Sequence, residues 1–258
     1  MNNTNKLKIL IVTENDPIYV FEFFKEFYQI FDYENIEISG VSIFNAFNEN
    51  IFKTGIRILN FYGLKDFIKL LFIFLKKKLL NENIKNITLK NKIKIIEVDS
   101  VNSQKYISSI KKISPEIIIS VAAPEIFKSK LLEIPKYCCM NVHSGEIPRY
   151  RGMMPTFWQM YENNKFITIT IHEMVNMLDA GGIIKTKKIP INEKDSLNRL
   201  MIESKKESAR LLINIIEEIR LTNKKPKTTP LDLTKERLFK FPTKKDMLKF
   251  KKIGHRLI

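Results

Sequence analysis

An α/β fold of the Rossmann-like type, a mostly parallel twisted sheet with helices on both faces, is predicted for this chain of 258 residues by two observations. Short apolar runs that read as buried strands recur along it, the first at residues 8–12 (Lys-Ile-Leu-Ile-Val). Between them lie stretches whose apolar residues fall at helical spacing, the first carrying Val20, Phe23, Phe24, Phe27 and Ile30. Strand alternating with helix implies parallel pairing, and right-handed crossovers then place helices on both faces.

The elements follow in order. Residues 13–17 break the first strand, and a helix covers 18–31. A second strand is expected at 36–41, and helical structure from about 45 to 90, interrupted near Gly55 and Gly63. A third strand is expected at 92–98, a helix at 102–113 and a fourth strand at 117–121. Residues 138–142 form a short fifth strand. A helix begins at Met153 or Pro155, where proline in a first turn loses no hydrogen bond, and runs to Tyr161. Residues 167–174 alternate like a strand, Gly181-Gly182 marks a tight turn, and a further strand runs over 183–191, broken by Pro190. Asp195 or Ser196 caps a long helix that stops at 223–226. The division expected is one body over residues 1–225 and a tail over 226–258, with one short helix at 244–252 docked on it.

An apolar share of 44% and a charged share of 28% describe a globular chain with one sizeable core. The two cysteines, Cys138 and Cys139, are adjacent, with no Cys-x-x-Cys and no zinc spacing. They read as buried small residues in a reducing cytoplasm. The net charge of +16 suggests an acidic partner, but the lysines are dispersed, and dispersed charge coats solvent faces without forming a footprint for nucleic acid. The opening residues are expected to lead straight into a strand, with no signal peptide read in them. Residues 70–75 (Leu-Leu-Phe-Ile-Phe-Leu), between Lys69 and Lys76, fall far short of the roughly 20 apolar residues of a membrane span. As a helix they either pack on the sheet or lie on a membrane surface. The aromatic residues near 61–74 also offer a face for a homodimer.

The chemistry concentrates in Asn141-Val142-His143, then Pro148-Arg149-Tyr150-Arg151-Gly152, then Leu178-Asp179-Ala180-Gly181-Gly182. Asn141 and His143 are two apart, so on a strand they share a face. Between 143 and 179 there is room for one helix and one strand before the chain returns. A carboxamide donor, an imidazole and an orienting carboxylate then meet at one strand end, as acyl transfer without a covalent enzyme intermediate requires. The turn at 13–17 holds no glycine, so a dinucleotide in the usual place is not expected. His172, among alternating apolar neighbours, reads as a strand residue and His255 as a solvated one. Trp158 reads as helix core or pocket lining. Arg149 and Arg151 either hold a substrate phosphate or lock their loop by salt bridges.

These motifs resemble the folate-dependent formyltransferase family, whose signature runs Asn-x-His, a short loop, Leu-Pro-x-Tyr-Arg-Gly, then Leu-Asp-x-Gly. Residues 116–126 are similar to the family's fourth strand and the loop after it. The resemblance covers about residues 6–190. It departs at residues 144–148 (Ser-Gly-Glu-Ile-Pro), where Glu146 replaces an apolar residue. The resemblance implies catalysis by Asn141, His143 and Asp179. It implies 10-formyltetrahydrofolate as co-substrate near Ala122, Ala123, Glu125, Ile126 and Leu178, and the acceptor near Glu146, Arg149, Tyr150, Arg151 and Gly152. It calls for no metal. The tail is too short for the β-barrel that tRNA-acting members add, so the expected acceptor is an anionic nucleotide-linked amino sugar. Methionyl-tRNA and glycinamide ribonucleotide are the alternatives. A non-enzyme alternative is a basic membrane- or glycan-binding module that uses residues 64–80.

Overall fold

The computed structural model describes residues 6–45 and 51–258. Residues 46–50, the start of the expected helical stretch, lie outside them. The chain runs β1 (Leu7–Asn15), α1 (Val20–Ile30), β2 (Ile36–Asn45), α2 (Ile51–Leu79), α3 (Ile84–Lys90), β3 (Ile95–Ile96), α4 (Gln104–Ile113), β4 (Ile117–Val121), α5 (Ser129–Leu132) and β5 (Cys138–His143). It continues through β6 (Arg151–Gly152), α6 (Pro155–Tyr161), β7 (Phe166–Glu173), β8 (Ile183–Pro190), α7 (Leu197–Thr222), β9 (Leu238–Phe239) and α8 (Lys244–Lys252).

Seven strands form one sheet in the order β3-β2-β1-β4-β5-β7-β8. The first five are parallel, and β7 and β8 close the sheet antiparallel. Along β1, Ile9 and Ile11 enter the core under α1 and α7, while Leu10 and Val12 enter the core under α4. Burial on both faces is why β1 reads as a continuous apolar run rather than an alternating one. In α1, Phe23, Phe24 and Phe27 are fully buried, and each such burial contributes about 2 kcal/mol.

Three expectations need correction. β1 does not end at Val12: its pairing with β2 continues to Asn15, so sheet hydrogen bonds outweigh the polar residues there. The third strand shrinks to Ile95–Ile96, because only these two residues pair with β2 and Lys92 turns left-handed (φ 59°) before them. Gly55 does not interrupt α2. Gly63 does, at φ 71° and ψ 165°, a conformation outside the helix that glycine adopts without steric cost.

The last 33 residues lie on the main body. β9 pairs with β6, and Thr229 bridges Ile183. Phe239 stacks on Trp158 (ring centroids 4.7 Å), and Phe250 on Phe157 (4.7 Å). Trp158 Nε1 donates to Lys240 O at 3.1 Å, so Trp158 anchors the tail, and it is not among the residues lining the cavity at the strand ends. α8 starts in a capping box between Thr243 and Asp246. His255, expected to be solvated, rests half-buried against Phe250 and meets Asn163 Oδ1 at 3.0 Å.

Candidate active site

The strand order reverses between β1 and β4, where helices leave opposite faces and a crevice opens at the carboxyl ends of the strands. A cavity of about 630 Å³ occupies it. Glu14 and Asp16 line it from the end of β1, Ala122 to Ile126 from the loop after β4, and Asn141 and His143 from β5. Asp16 explains why no glycine-rich turn is needed. Its Oδ1 accepts from the N–H groups of Ile18 (2.8 Å) and Tyr19 (3.2 Å), and its Oδ2 from Val20 (3.4 Å). The donors at the start of α1, which would hold a dinucleotide phosphate, are thus taken by a carboxylate of the chain itself.

The three expected polar residues meet. Asn141 Nδ2 donates to Asp179 Oδ1 at 3.1 Å, and His143 Nδ1 lies 3.6 Å from Asp179 Oδ2. Asp179 reaches β5 because its loop folds back closely over the end of β7. A Cβ on Gly181 would stand 1.8 Å from Glu173 O, so only glycine lets the loop pass. Asp179 itself is left-handed (φ 45°), which aspartate tolerates, and its Oδ2 also accepts the Gly152 N–H at 2.9 Å.

A fourth member was missed by the sequence reading. In the antiparallel pairing of β5 with β7, His172 stands directly opposite Asn141. His172 Nδ1 meets Glu173 O at 2.8 Å, a group that only accepts, so Nδ1 carries hydrogen. His172 Nε2 can then accept from Asn141 Nδ2 at 3.1 Å, and lies 3.5 Å from Asp179 Oδ1. Cross-strand register could have revealed it, since once β7 pairs antiparallel with β5 some residue must face Asn141.

His143 Nε2 donates to Tyr150 O at 2.7 Å, leaving Nδ1 as the lone-pair nitrogen of the neutral ring, turned toward Asp179. Burial is the strongest influence on this imidazole and lowers its pKa below the ordinary histidine value, with the Asp179 charge opposing. For Asp179, burial acts to raise the pKa. The charge of the His143 ring when protonated and the Gly152 N–H outweigh it, and hold the carboxyl well below the usual carboxylate range. The resting pair near neutral pH is therefore a neutral imidazole beside a carboxylate, a base ready to receive a proton. If His143 is that base, kcat/KM is expected to rise with pH through an inflection below about 6.5, the unperturbed histidine value. An acid inflection at or above that value would assign the base elsewhere.

The other expected residues divide in two. Ala122, Ala123, Glu125, Ile126, Leu178 and Gly152 all line the cavity. Glu125 does so with its carboxylate engaged, accepting from Ser100 Oγ and Val101 N, both at 2.9 Å. Glu146, Arg149, Tyr150 and Arg151 do not line it. Arg151 is buried and donates twice to Leu178 O (2.9 and 2.6 Å), with Glu236 as its ion-pair partner. Tyr150 is buried, its hydroxyl donating to Glu162 at 2.6 Å, and Arg149 pairs with the same carboxylate at 3.2 Å. Glu146 points to solvent, and the buried neighbour Ile147 does the apolar packing of the loop. These residues build the loop and fix Asp179 from behind, the salt-bridge reading of the arginines. Besides His172, the sequence reading missed Lys205 of α7 and Phe241 of the tail, both on the cavity wall. Among the described residues, no group of three or more His, Cys, Asp or Glu is placed to hold a metal ion.

A Rossmann-like body thus carries Asn-x-His at the end of a central strand, with a carboxylate returned to it by a glycine turn. The formyl transferase family profile matches residues 75–216, more than half of the chain, and the chain belongs to this folate-dependent family. The methionyl-tRNA formyltransferase of Thermodesulfovibrio yellowstonii is 31% identical over 154 residues, which cover 59% of this chain and 50% of that one. The chain thus spans about half the length of that curated relative. A sugar N-formyltransferase from Shewanella sp FDAARGOS_354 superposes with a TM-score of 0.55 at 19% identity, covering 95% of this chain and 86% of that one. WlaRD, a sugar 3N-formyl transferase solved in the presence of dTDP and 5-N-formyl-THF, superposes with a TM-score of 0.56 at 18% identity, covering 91% and 70%. At these identities the two structures establish the shared fold.

Proposed function

We propose that the protein transfers a formyl group from 10-formyltetrahydrofolate to the primary amine of an amino sugar linked to a nucleotide. The observation that carries the reading is the closed cluster of Asn141, His143, His172 and Asp179 at the floor of a cavity of ligand size. The apolar wall of Met174, Val175, Met177 and Leu178 suits a flat ring system, and the small side chains of Ala122 and Ala123 leave room for it. The reaction forms a bond from the amine nitrogen to the formyl carbon, breaks the bond from that carbon to the folate nitrogen N10, and moves one proton from the amine to N10.

His143 Nδ1 takes the proton that the amine sheds, and Asp179 at 3.6 Å stabilises the imidazolium that results. Both hydrogens of the Asn141 amide are committed at rest, one to Asp179 and one to His172. Asn141 keeps the first and turns the second from His172 to the formyl oxygen as negative charge develops there. Asp179 thereby orients a base and an oxyanion donor at once. The two sides of its carboxylate are divided between them, Oδ1 for Asn141 and Oδ2 for His143.

For the acceptor, two observations favour a nucleotide-linked sugar over tRNA. Lys205 lines the cavity with its pKa lowered by burial against the opposing charges of Asp16 and Glu14, and a bound pyrophosphate would hold its ammonium form. The tail folds back so that Phe241 forms part of the cavity wall, its ring 5.4 Å from that of Phe61. The free, buried thiols of Cys138 and Cys139 suit a cytoplasmic reaction.

The test is tetrahydrofolate release from 10-formyltetrahydrofolate with a panel of nucleotide-linked amino sugars, glycinamide ribonucleotide and methionyl-tRNA. Turnover with at least one sugar is expected. Turnover with methionyl-tRNA or glycinamide ribonucleotide alone would overturn the sugar assignment, and turnover with none would overturn the formyl transfer reading.

A further inference from the structure

We infer that the outer face of α2 docks on an anionic lipid bilayer, lying in the plane of the interface. After the break at Gly63, α2 turns Phe67, Leu70, Ile73 and Phe74 inward against the core. The outward face is apolar too. Leu64, Ile68, Leu71, Phe72, Leu75 and Leu79 recur at helical spacing and are all exposed, with Leu64 and Phe72 at 69% and Leu79 at 85%. A helix apolar all round is ordinarily covered all round. Here the chain covers one side and leaves a stripe about 24 Å long, at 1.5 Å per residue over sixteen residues. Singly exposed apolar residues are common on soluble proteins, whereas a contiguous stripe marks an interaction surface.

The charges around the stripe choose the occupant. Lys65, Lys69, Lys76 and Lys78 are exposed beside it. The one acid between Leu64 and Leu79, Asp66, is buried and held by Lys251 at 2.7 Å and Lys69 at 3.4 Å. Lys77 turns inward to Glu22 at 2.7 Å and fixes the end of the helix to the body. A second copy would bring another lysine border, on another chain of net charge +16, against the first. An anionic lipid surface offers the opposite charge at the headgroups and an apolar layer at the depth of the stripe. No helix among the described residues is long and apolar enough to cross a membrane, so the contact is one of surface insertion.

The test uses the full chain with vesicles of phosphatidylcholine alone and of phosphatidylcholine with phosphatidylglycerol. Co-sedimentation is expected with the anionic vesicles, weaker by about tenfold or more with the neutral ones. Phe72→Ser with Leu75→Ser should lose anionic-vesicle binding by a similar factor, with far-ultraviolet circular dichroism and formyl transfer in lipid-free buffer unchanged. Lys65→Glu with Lys76→Glu, which leaves the apolar stripe intact, should lose the preference for anionic lipid. Wild-type protein that stays in the supernatant with both vesicle types would overturn the inference. So would a dimer, seen by sedimentation velocity without lipid, that Phe72→Ser dissociates.

Discussion

Asp179→Asn is expected to lower kcat for formyl transfer by roughly 10²–10⁴-fold, the range for loss of acid/base and oxyanion groups. The substitution preserves size and removes charge, so its effect falls on chemistry rather than packing. Three contacts fail together. The imidazolium of His143 loses the carboxylate 3.6 Å away, Asn141 Nδ2 loses the oxygen that orients it, and the Gly152 N–H loses its charged acceptor. Because the Asp179 charge acts to raise the His143 pKa against burial, its removal should also move the acid inflection of the pH–rate profile still lower. Steady-state kinetics across pH read both effects. A variant with the wild-type rate, or with an inflection moved upward, would remove Asp179 from the mechanism.

Gly152→Ala is expected to destabilise the protein by about 2–3 kcal/mol, the range for a strained backbone position combined with a steric clash. Gly152 has φ 91°, and a Cβ there would stand 2.3 Å from Phe239 O. The neighbour is backbone, so no rotamer change relieves the overlap. Either β9 leaves β6 or the loop moves. If β9 leaves, the tail's hold on Trp158 weakens and Phe241, two residues beyond β9, shifts at the cavity wall. If the loop moves, Gly152 N withdraws from Asp179. Thermal unfolding should show a lower Tm, and kinetics a loss in kcat/KM, in the same variant. A Tm equal to wild type would mean that β6 and β9 do not pair as described.

The fold was legible wherever a strand is buried on both faces. Predominantly apolar runs mark residues 8–12 and 117–121, and their pairing partners follow from the alternation with helices. The third strand was misjudged because its pairing is limited to two residues, a matter of tertiary contact and not of composition. Asn141, His143 and Asp179 were legible because their residue types are costly to bury without a purpose and their spacing suits one strand and one returning loop. His172 was hidden because its role comes from register: its local pattern is that of any alternating strand, and only the pairing with Asn141 brings it into the cluster. Arg149 and Arg151 were ambiguous for a related reason. A guanidinium serves a phosphate or a carboxylate equally well, and the partners Glu162 and Glu236 lie 13 and 85 residues away. Lys205 and Phe241 carry no motif, and reach the cavity through the packing of α7 and the return of the tail.

The central claim is direct transfer: the formyl carbon passes from folate to amine without stopping on the protein, under the control of Asn141, His143 and Asp179. A rapid-quench single turnover with donor labelled in the formyl carbon, run with the sugar acceptor identified by the panel, tests it most directly. The account predicts that label leaves the folate and enters the acceptor with one time course, that none is found on the protein at any time, and that His143→Asn slows both processes together. Label accumulating on the protein before the acceptor, or a His143→Asn time course equal to wild type, would contradict it.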